Sequence, residues 1–591
     1  MLETAKSNKY YKHNANDTNV IANELKLAKN IQQTRKQRIA NIEETDCWDM
    51  VIVGGGITGA GILKLACQMG LKVLLLEQKD FAWGSSSRSS KMVHGGLRYM
   101  AQGQVALTRE SVIERQRLLK EAHPLVSKQS FVMSHYKHTF PGPWVFNTLL
   151  SCYDFIAGEK QHKFWPKPSY LALSPQIAEN KLIGGTQFFD ALTEDARLVQ
   201  RLIQESLQLC GQAINYAKVL TLDTQAAHTQ IKVQFEEQES ALTLKAKVVI
   251  NACGAWSRML GGNSTQASPM NLPHTENKTV TTQKNKKTAT YMRPLRGSHL
   301  VLPNWRLPVA SVITIQHKQD KRPVQIYPWQ NVTIVGTTDV EHLENMALEA
   351  KISSQELKYL LEAIEQQFPH MNINQDDIIS TFSGVRPVIT SNNSLTPSKE
   401  KREHYIEKNK NVISVTGGKL TTFRLIAEQV LKIVCGHLST EYKQSYTELI
   451  KLLNAACHQP ILSLPFNNTD LPFREDIKQQ IFACYGELSS TFVATSQKIY
   501  CDHIRYTKHL WAELIWSVKF EQVQHLDDLL LRRTRLGNVL PQGASDILPK
   551  IKTLCSPYLS WNEQKWQQEI KRYLMLWQNA YSLPDGKGLT E

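Results

Sequence analysis

Cysteine is scarce in this chain: ten in 591 residues, at positions 47, 67, 152, 210, 253, 435, 457, 484, 501 and 555. That density excludes a disulfide scaffold. No two of them form a CxxC pair, so a structural zinc site is not expected and no metal is assigned. The same sparseness suits a reducing compartment. Long apolar runs are missing too; nowhere do about 18 uninterrupted apolar residues occur, which argues against a membrane-spanning helix. Acids are outnumbered, with 54 Asp and Glu against 69 Lys and Arg and a net charge of +15. Such an excess attracts nucleic acid, anionic lipid or a small anionic substrate, or simply solubilises the surface. With no block of Lys and Arg, no zinc finger and no aromatic-basic RNA-binding signature, no nucleic-acid partner is expected. The remainder is ordinary, 42% apolar and 21% charged, as in a soluble globular protein. The length suits roughly three to four domain-sized units.

Residues 1–46 are polar and carry eight Lys or Arg and six Asp or Glu. They lack the apolar core of about 7–15 residues that a secretory signal needs, and their acids argue against a mitochondrial presequence. They read as a disordered or partly helical extension. At Trp48 the pattern changes. Asp49-Met-Val-Ile-Val53 reads as a strand, Ala60–Ala66 as a helix opened by small residues, and Lys72-Val-Leu-Leu-Leu-Glu77 as a second strand. Together they make a βαβ unit of about 30 residues. Ala246–Ala252 is a later buried-strand candidate, and strand-like runs recur at Ser298–Leu302, Val332–Val335 and Val412–Val415. Residues 263–292, with seven Thr, four Lys and four Asn, have no core-forming pattern and read as a flexible surface insertion. The division expected is thus an extension (1–46), an α/β region (47–438) and a helical C-terminal domain (439–591), the last from patterns such as Glu513–Phe520 and Leu526–Leu536.

Gly54, Gly56 and Gly59 form GxGxxG between strand and helix, with Gly55 and Thr58 inside the turn. The first glycine permits the tight turn, the second lets a pyrophosphate approach the backbone, and the third lets helix and strand pack closely. The pyrophosphate rests on free N–H groups at the positive end of the helix. Glu77 ends the second strand, where a carboxylate accepts ribose hydroxyls. Downstream, a serine-rich loop (Ser85–Ser90, with Ser86, Ser89 and Ser90 as ligand candidates) precedes His94-Gly95-Gly96. It supplies hydroxyls and backbone donors, and the double glycine permits close approach to a flat ring. On composition alone it could equally be a plain surface loop.

Five motifs in order carry a family resemblance: Gly54–Gly61, Ser85–Tyr99 (SSSRSSKMVHGGLRY), Gly336–Glu341 (GTTDVE), Ser383–Pro387 (SGVRP) and Gly417–Thr422 (GGKLTT). They closely resemble FAD-dependent glycerol-3-phosphate dehydrogenases over roughly residues 48–425. Leu526-Asp-Asp528 and Arg532-Arg-Thr-Arg535 look like that family's helical cap. The resemblance implies an α/β fold, in which a Rossmann-like FAD-binding domain is interleaved with a mixed-sheet, glycine-oxidase-like substrate domain. It also implies FAD as cofactor and oxidation of glycerol 3-phosphate to dihydroxyacetone phosphate. Electrons pass to membrane quinone in the dehydrogenases and to oxygen in related oxidases; a catalytically silent FAD-binding scaffold is the third reading.

By resemblance, Arg98, Tyr99, Arg386 and Lys419 contact substrate, with Arg402 a fourth cation in a segment that departs from the family pattern. An arginine fork suits a phosphate because it donates two parallel hydrogen bonds. For any single arginine an ordinary salt bridge is the alternative. His299, in Arg296-Gly-Ser-His299, is the expected base, since histidine accepts a proton at neutral pH. His94 is the second candidate, or shapes the flavin environment. Arg296 stands where family members often carry Lys. By the same resemblance the loop of Gly418, Lys419, Leu420, Thr421 and Thr422 lies against the isoalloxazine ring and holds FAD, with a helix N-cap as the alternative for its threonines. Ala252 and Gly254, in Asn251-Ala-Cys-Gly254, are expected along the adenine side. A quinone acceptor implies peripheral attachment on the cytoplasmic face of the inner membrane, through an anionic lipid surface that the net charge and the run Arg532–Arg535 would favour. A homodimer is compatible with the family but has no residue signature here.

Overall fold

The apolar run after Cys47 forms the strand Trp48–Val53, buried at every residue, and Val73–Leu76 lies beside it in parallel. Strands without polar alternation belong where both faces are covered. The computed structural model describes residues 31–101, 103–209, 211–260, 291–390, 404–438, 440–456 and 474–584, and it puts these strands at the centre of an eight-stranded sheet. Leu242–Asn251, Val412–Gly417 and Gln212–Ile214 extend the parallel core. One face carries Met50, Ile52, Leu75 and Ile250, packed under the helices Ile57–Gln68, Asp195–Gln208 and Phe423–Cys435. The other carries Val51, Val53, Leu74 and Val249, covered by the antiparallel strands Ala217–Thr224 and Thr229–Phe235 and by the helix Arg35–Glu43. That helix buries Ile39 and Ile42 and is closed by a Thr34 capping box, so the end of the polar extension is part of the fold. Residues 1–30 lie outside the described residues.

Between the segments of the first sheet the chain builds a second, ten-stranded one. Its long members are Val126–Tyr136, Leu182–Thr193, Tyr291–Pro303 and Ser380–Thr390. All its pairs are antiparallel except Val312–Gln316 with Val126–Tyr136, which run parallel. The two sheets therefore alternate along the chain, the expected interleaving. Residues 291 and 292 of the polar insertion open a strand, and its residues 263–290 lie outside the described residues.

After Val412–Gly417 the described residues are helical, ending in Glu563–Ala580, which buries Trp566, Tyr573 and Trp577. The run Leu526–Leu536 is not one regular helix. Asp528–Arg533 is a π-helical turn, and Arg535 takes a left-handed backbone (φ 57°) before Leu536–Val539. Contrary to expectation, the basic run Arg532–Arg535 is buried and meets no membrane; Arg535 is the N-cap of Leu536–Val539, without a side-chain capping bond. Arg532 binds Asp80, Asp527 and Asp528, and Arg533 forks onto Asp80 at 2.7 and 2.8 Å. Buried charge survives only when so paired. Arg532 and Arg533 through Asp80, and Arg535 through the Ser87 carbonyl oxygen, join the helical region to the loop after Glu77.

Candidate active site

The glycine turn is shaped by contacts that only glycine allows. Gly54 adopts φ +115°, and a Cβ there would stand 2.6 Å from the Ala252 carbonyl oxygen; one on Gly59 would stand 1.9 Å from that of Gly54. Gly56 caps the helix Ile57–Gln68 with an ordinary backbone, and its Cβ position meets only Ser86 Oγ, at 3.0 Å. Ser86 in turn accepts the Ile57 N–H at 2.9 Å. Glu77 accepts the N–H groups of Gly55 (2.7 Å) and Lys79 (2.8 Å), closing the turn from the second strand. Burial pushes its carboxyl above the usual range.

A cavity of about 970 Å³ runs from this turn to the second sheet. Gly54, Gly56, Thr58, Glu77, Ser86, Ser89, Ser90, His94, Gly96, Ala252, Gly254, Gly418, Lys419 and Leu420, all expected around a cofactor, line it. Gly55, Gly59, Gly95 and Thr421 stand behind the wall. Gly95 N–H bonds Asp190, and Thr421 Oγ1 bonds the His94 carbonyl oxygen at 3.3 Å. Of the two threonines, Thr422 is the N-cap of Phe423–Cys435, and its side chain makes no capping bond. A long cavity, a glycine cradle that a Cβ would fill, a helix N-terminus and a strand-end carboxylate fit a dinucleotide.

At the far end Arg386 and Lys419 line the same cavity with Tyr99. Arg386 is held by Asp339 (3.4 Å) and Thr337 Oγ1 (3.1 Å); Lys419 Nζ sits 3.7 Å over the Tyr99 ring and 3.4 Å from Ser111 Oγ. Arg98 falls in the helix Leu97–Ala101, and Arg402 lies outside the described residues. His299 does not line the cavity. It is fully buried, stacked on Phe382 at 4.5 Å, with Nε2 2.9 Å from Ser90 Oγ. Burial, and then the charges of Arg386 and Lys91, hold its pKa well below the usual imidazole value, so the ring is neutral. Ser90, which does line the cavity, stands at its edge.

Sequence reasoning missed several lining residues. Arg322 shares Asp339 with Arg386 (3.0 Å). Asp190 holds Gly95 while bound to Arg115 (2.9 Å) and Tyr153 OH (3.3 Å); an acid inside the apolar run Phe188–Leu192 was the available signal. Leu97, Phe131, Met133, Phe146 and Phe188 form an apolar stretch of wall that no local pattern announces. Among the described residues no cluster suits a metal ion.

Residues 49–430 match the family model for FAD dependent oxidoreductases, and residues 427–566 that for the C-terminal domain of alpha-glycerophosphate oxidase. The aerobic glycerol-3-phosphate dehydrogenase of Staphylococcus aureus (strain USA300) is 27% identical over 519 residues, covering 85% of this chain and 89% of that protein. Its counterpart in Staphylococcus haemolyticus (strain JCSC1435) is 28% identical over 507 residues, covering 82% and 86%. Among solved structures, a glycerol-3-phosphate dehydrogenase from Bacillus halodurans complexed with FAD superposes with TM-score 0.65 at 21% identity, covering 92% of this chain and 97% of that one.

Proposed function

Since the chain belongs to the FAD-dependent oxidoreductase family and carries a C-terminal domain of the alpha-glycerophosphate oxidase type, we propose that it oxidises sn-glycerol 3-phosphate to dihydroxyacetone phosphate and passes the electrons to membrane quinone. The carrying observation is the set of cations, Arg386, Lys419 and Arg322, on the wall of the cavity that also holds the glycine cradle. A phosphate dianion needs cations, and the Arg386 fork, steadied by Asp339, suits its paired oxygens. Bound FAD supplies the hydride acceptor for the carbinol carbon. The protein supplies the rest. Gly54–Gly59 and Glu77 hold the dinucleotide, the cations and Tyr99 anchor the phosphate, and the hydroxyl proton leaves to Ser90, whose own proton passes to neutral His299 Nε2.

Mixing the reduced substrate with the yellow enzyme in a stopped-flow cell tests this. We expect glycerol 3-phosphate to bleach the flavin and a short-chain quinone, not oxygen, to restore it rapidly. Rapid recovery with oxygen alone, with peroxide formed, would make the protein an oxidase. No bleaching at all would make it a scaffold.

Support for a quinone comes from the helix Pro143–Ala157. Its inner face gives Phe146 to the apolar cavity wall, while Trp144 (80%) and Phe155 (87%) are exposed on it and Phe140 (76%) is exposed just before it. Exposed Lys160 and Lys163 follow in sequence. Aromatics flanked by lysines suit an anionic lipid surface, and no helix among the described residues is long and apolar enough to cross a membrane. This face replaces the buried Arg532–Arg535 run as the docking surface on the cytoplasmic side of the inner membrane. The protein should float with anionic vesicles at low salt. Combining Trp144→Ser with Phe155→Ser should weaken that partition by about a hundredfold or more, since each aromatic loses roughly 1.5–3 kcal/mol of burial. Equal flotation of the double variant would dismiss this face.

A further inference from the structure

Arg535 reaches from the helical region into the loop that walls the cavity. Its Nη2 donates to the Ser87 carbonyl oxygen at 2.7 Å and to the Asp195 carboxylate, Nε pairs with Glu194 at 2.7 Å, and Nη1 donates to the Leu531 carbonyl oxygen at 2.7 Å. Asp195 carries the contact onward. Its Oδ2 accepts both the N–H and the hydroxyl of Ser89, at 3.0 and 2.7 Å. Lys91 uses the same two acceptors from the other side, with Nζ 3.0 Å from the Ser87 carbonyl oxygen and 2.9 Å from Asp195. All three charges are buried, Asp195 completely.

The backbone bears this out. Lys91 (φ 59°) and Arg535 (φ 57°) both take the left-handed conformation that side chains disfavour. Such conformations persist where the surroundings over-determine them, and they gather at functional sites. Here the over-determined stretch is Ser87–Lys91, which contributes Ser89 and Ser90 to the cavity and positions Ser90 against His299. Burial alone would raise the Asp195 carboxyl, but Lys91 and then Arg535 hold it below the ordinary carboxylate range, so the anion that organises the loop stays charged.

We propose that Arg535 is a positioning residue for the cofactor: through Asp195 and the Ser87 carbonyl it holds Ser87–Lys91 in the shape that lines the FAD cavity, so that the C-terminal helical region sets how tightly FAD is retained. Arg197 provides the comparison. It is as buried, pairs with Glu521 of the same helical region at 3.0 Å, and does not line the cavity.

The test measures FAD dissociation by flavin fluorescence, the visible spectrum of the bound flavin, and thermal unfolding of each holoenzyme. Arg535→Gln should raise the FAD dissociation constant by about tenfold or more and shift the flavin bands, because charge-assisted bonds to the loop are lost. Arg197→Gln should lower the unfolding midpoint yet leave FAD affinity within about twofold. Arg535→Lys, which keeps a charge on Asp195 but cannot fork onto Ser87 and Glu194 together, should fall between wild type and Gln; it serves if the Gln variant does not fold. Unchanged FAD affinity in the Lys or Gln variant overturns the proposal. So does an equal loss of affinity in Arg197→Gln, which would mark a general destabilisation.

Discussion

Gly56→Val yields a colourless but folded protein. Gly56 has an ordinary backbone and only Ser86 Oγ near its Cβ position, so the fold accepts a side chain there. The added branches instead cover the N-terminus of Ile57–Gln68, where the pyrophosphate must meet free N–H groups. Losing two such charge-assisted bonds, at about 1.5–3 kcal/mol each, weakens FAD binding by about two to four decades. Absorbance near the flavin bands after purification, set beside circular dichroism, reads both outcomes. Gly59→Ala is the contrasting case. Its methyl would stand 1.9 Å from a backbone oxygen, so strand and helix must separate and the protein should lose more than about 3 kcal/mol of stability. A yellow, fully loaded Gly56→Val protein would remove this turn from the cofactor site.

Arg386→Ala should raise the KM for glycerol 3-phosphate by about one to two decades, the worth of one charge-assisted contact of about 1.5–3 kcal/mol. FAD should remain bound, because the glycine cradle does not involve Arg386. The fold should hold as well. Asp339, relieved of Arg386, is still paired with Arg322 at 3.0 Å, so no buried carboxylate is stranded. Arg386→Lys should recover part of the loss, since a point charge replaces the fork. Steady-state kinetics with glycerol 3-phosphate against glycerol separate the contributions: the phosphate-free substrate should be nearly insensitive to the change. Unaltered kinetics would give Arg386 a structural role.

The cofactor cradle was legible because its determinants are local. Gly54, Gly56 and Gly59 are spaced by the geometry of a single turn, and the runs at 50–53 and 73–76 are continuous because strands covered on both faces need no polar positions. Glu77 follows from its place at the end of the second strand. The helical C-terminal pattern was legible for the same reason, although the π-turn at Asp528–Arg533 was not; a local widening leaves the apolar spacing nearly unchanged.

Placement inside or outside was decided elsewhere. His299 has the chemistry of a base, but its ring is fully buried against Phe382 of the neighbouring strand, and its partner Ser90 is the residue that lines the cavity. In the linear chain Arg532–Arg535 has the composition of a surface patch. The chain returns after 453 residues to set Arg533 on Asp80, and those arginines become the seam between the helical region and the flavin loop. Burying a charge is affordable only beside an opposite one, and the opposite charge is a long-range partner. Spacing and composition therefore determined the turn, its carboxylate and the class of cofactor it can hold. Which cations face the cavity, which are sealed in ion pairs, and which aromatics are left in the open depended on segments far apart in sequence, because desolvation and Coulomb energy act through space and only the folded chain sets those distances.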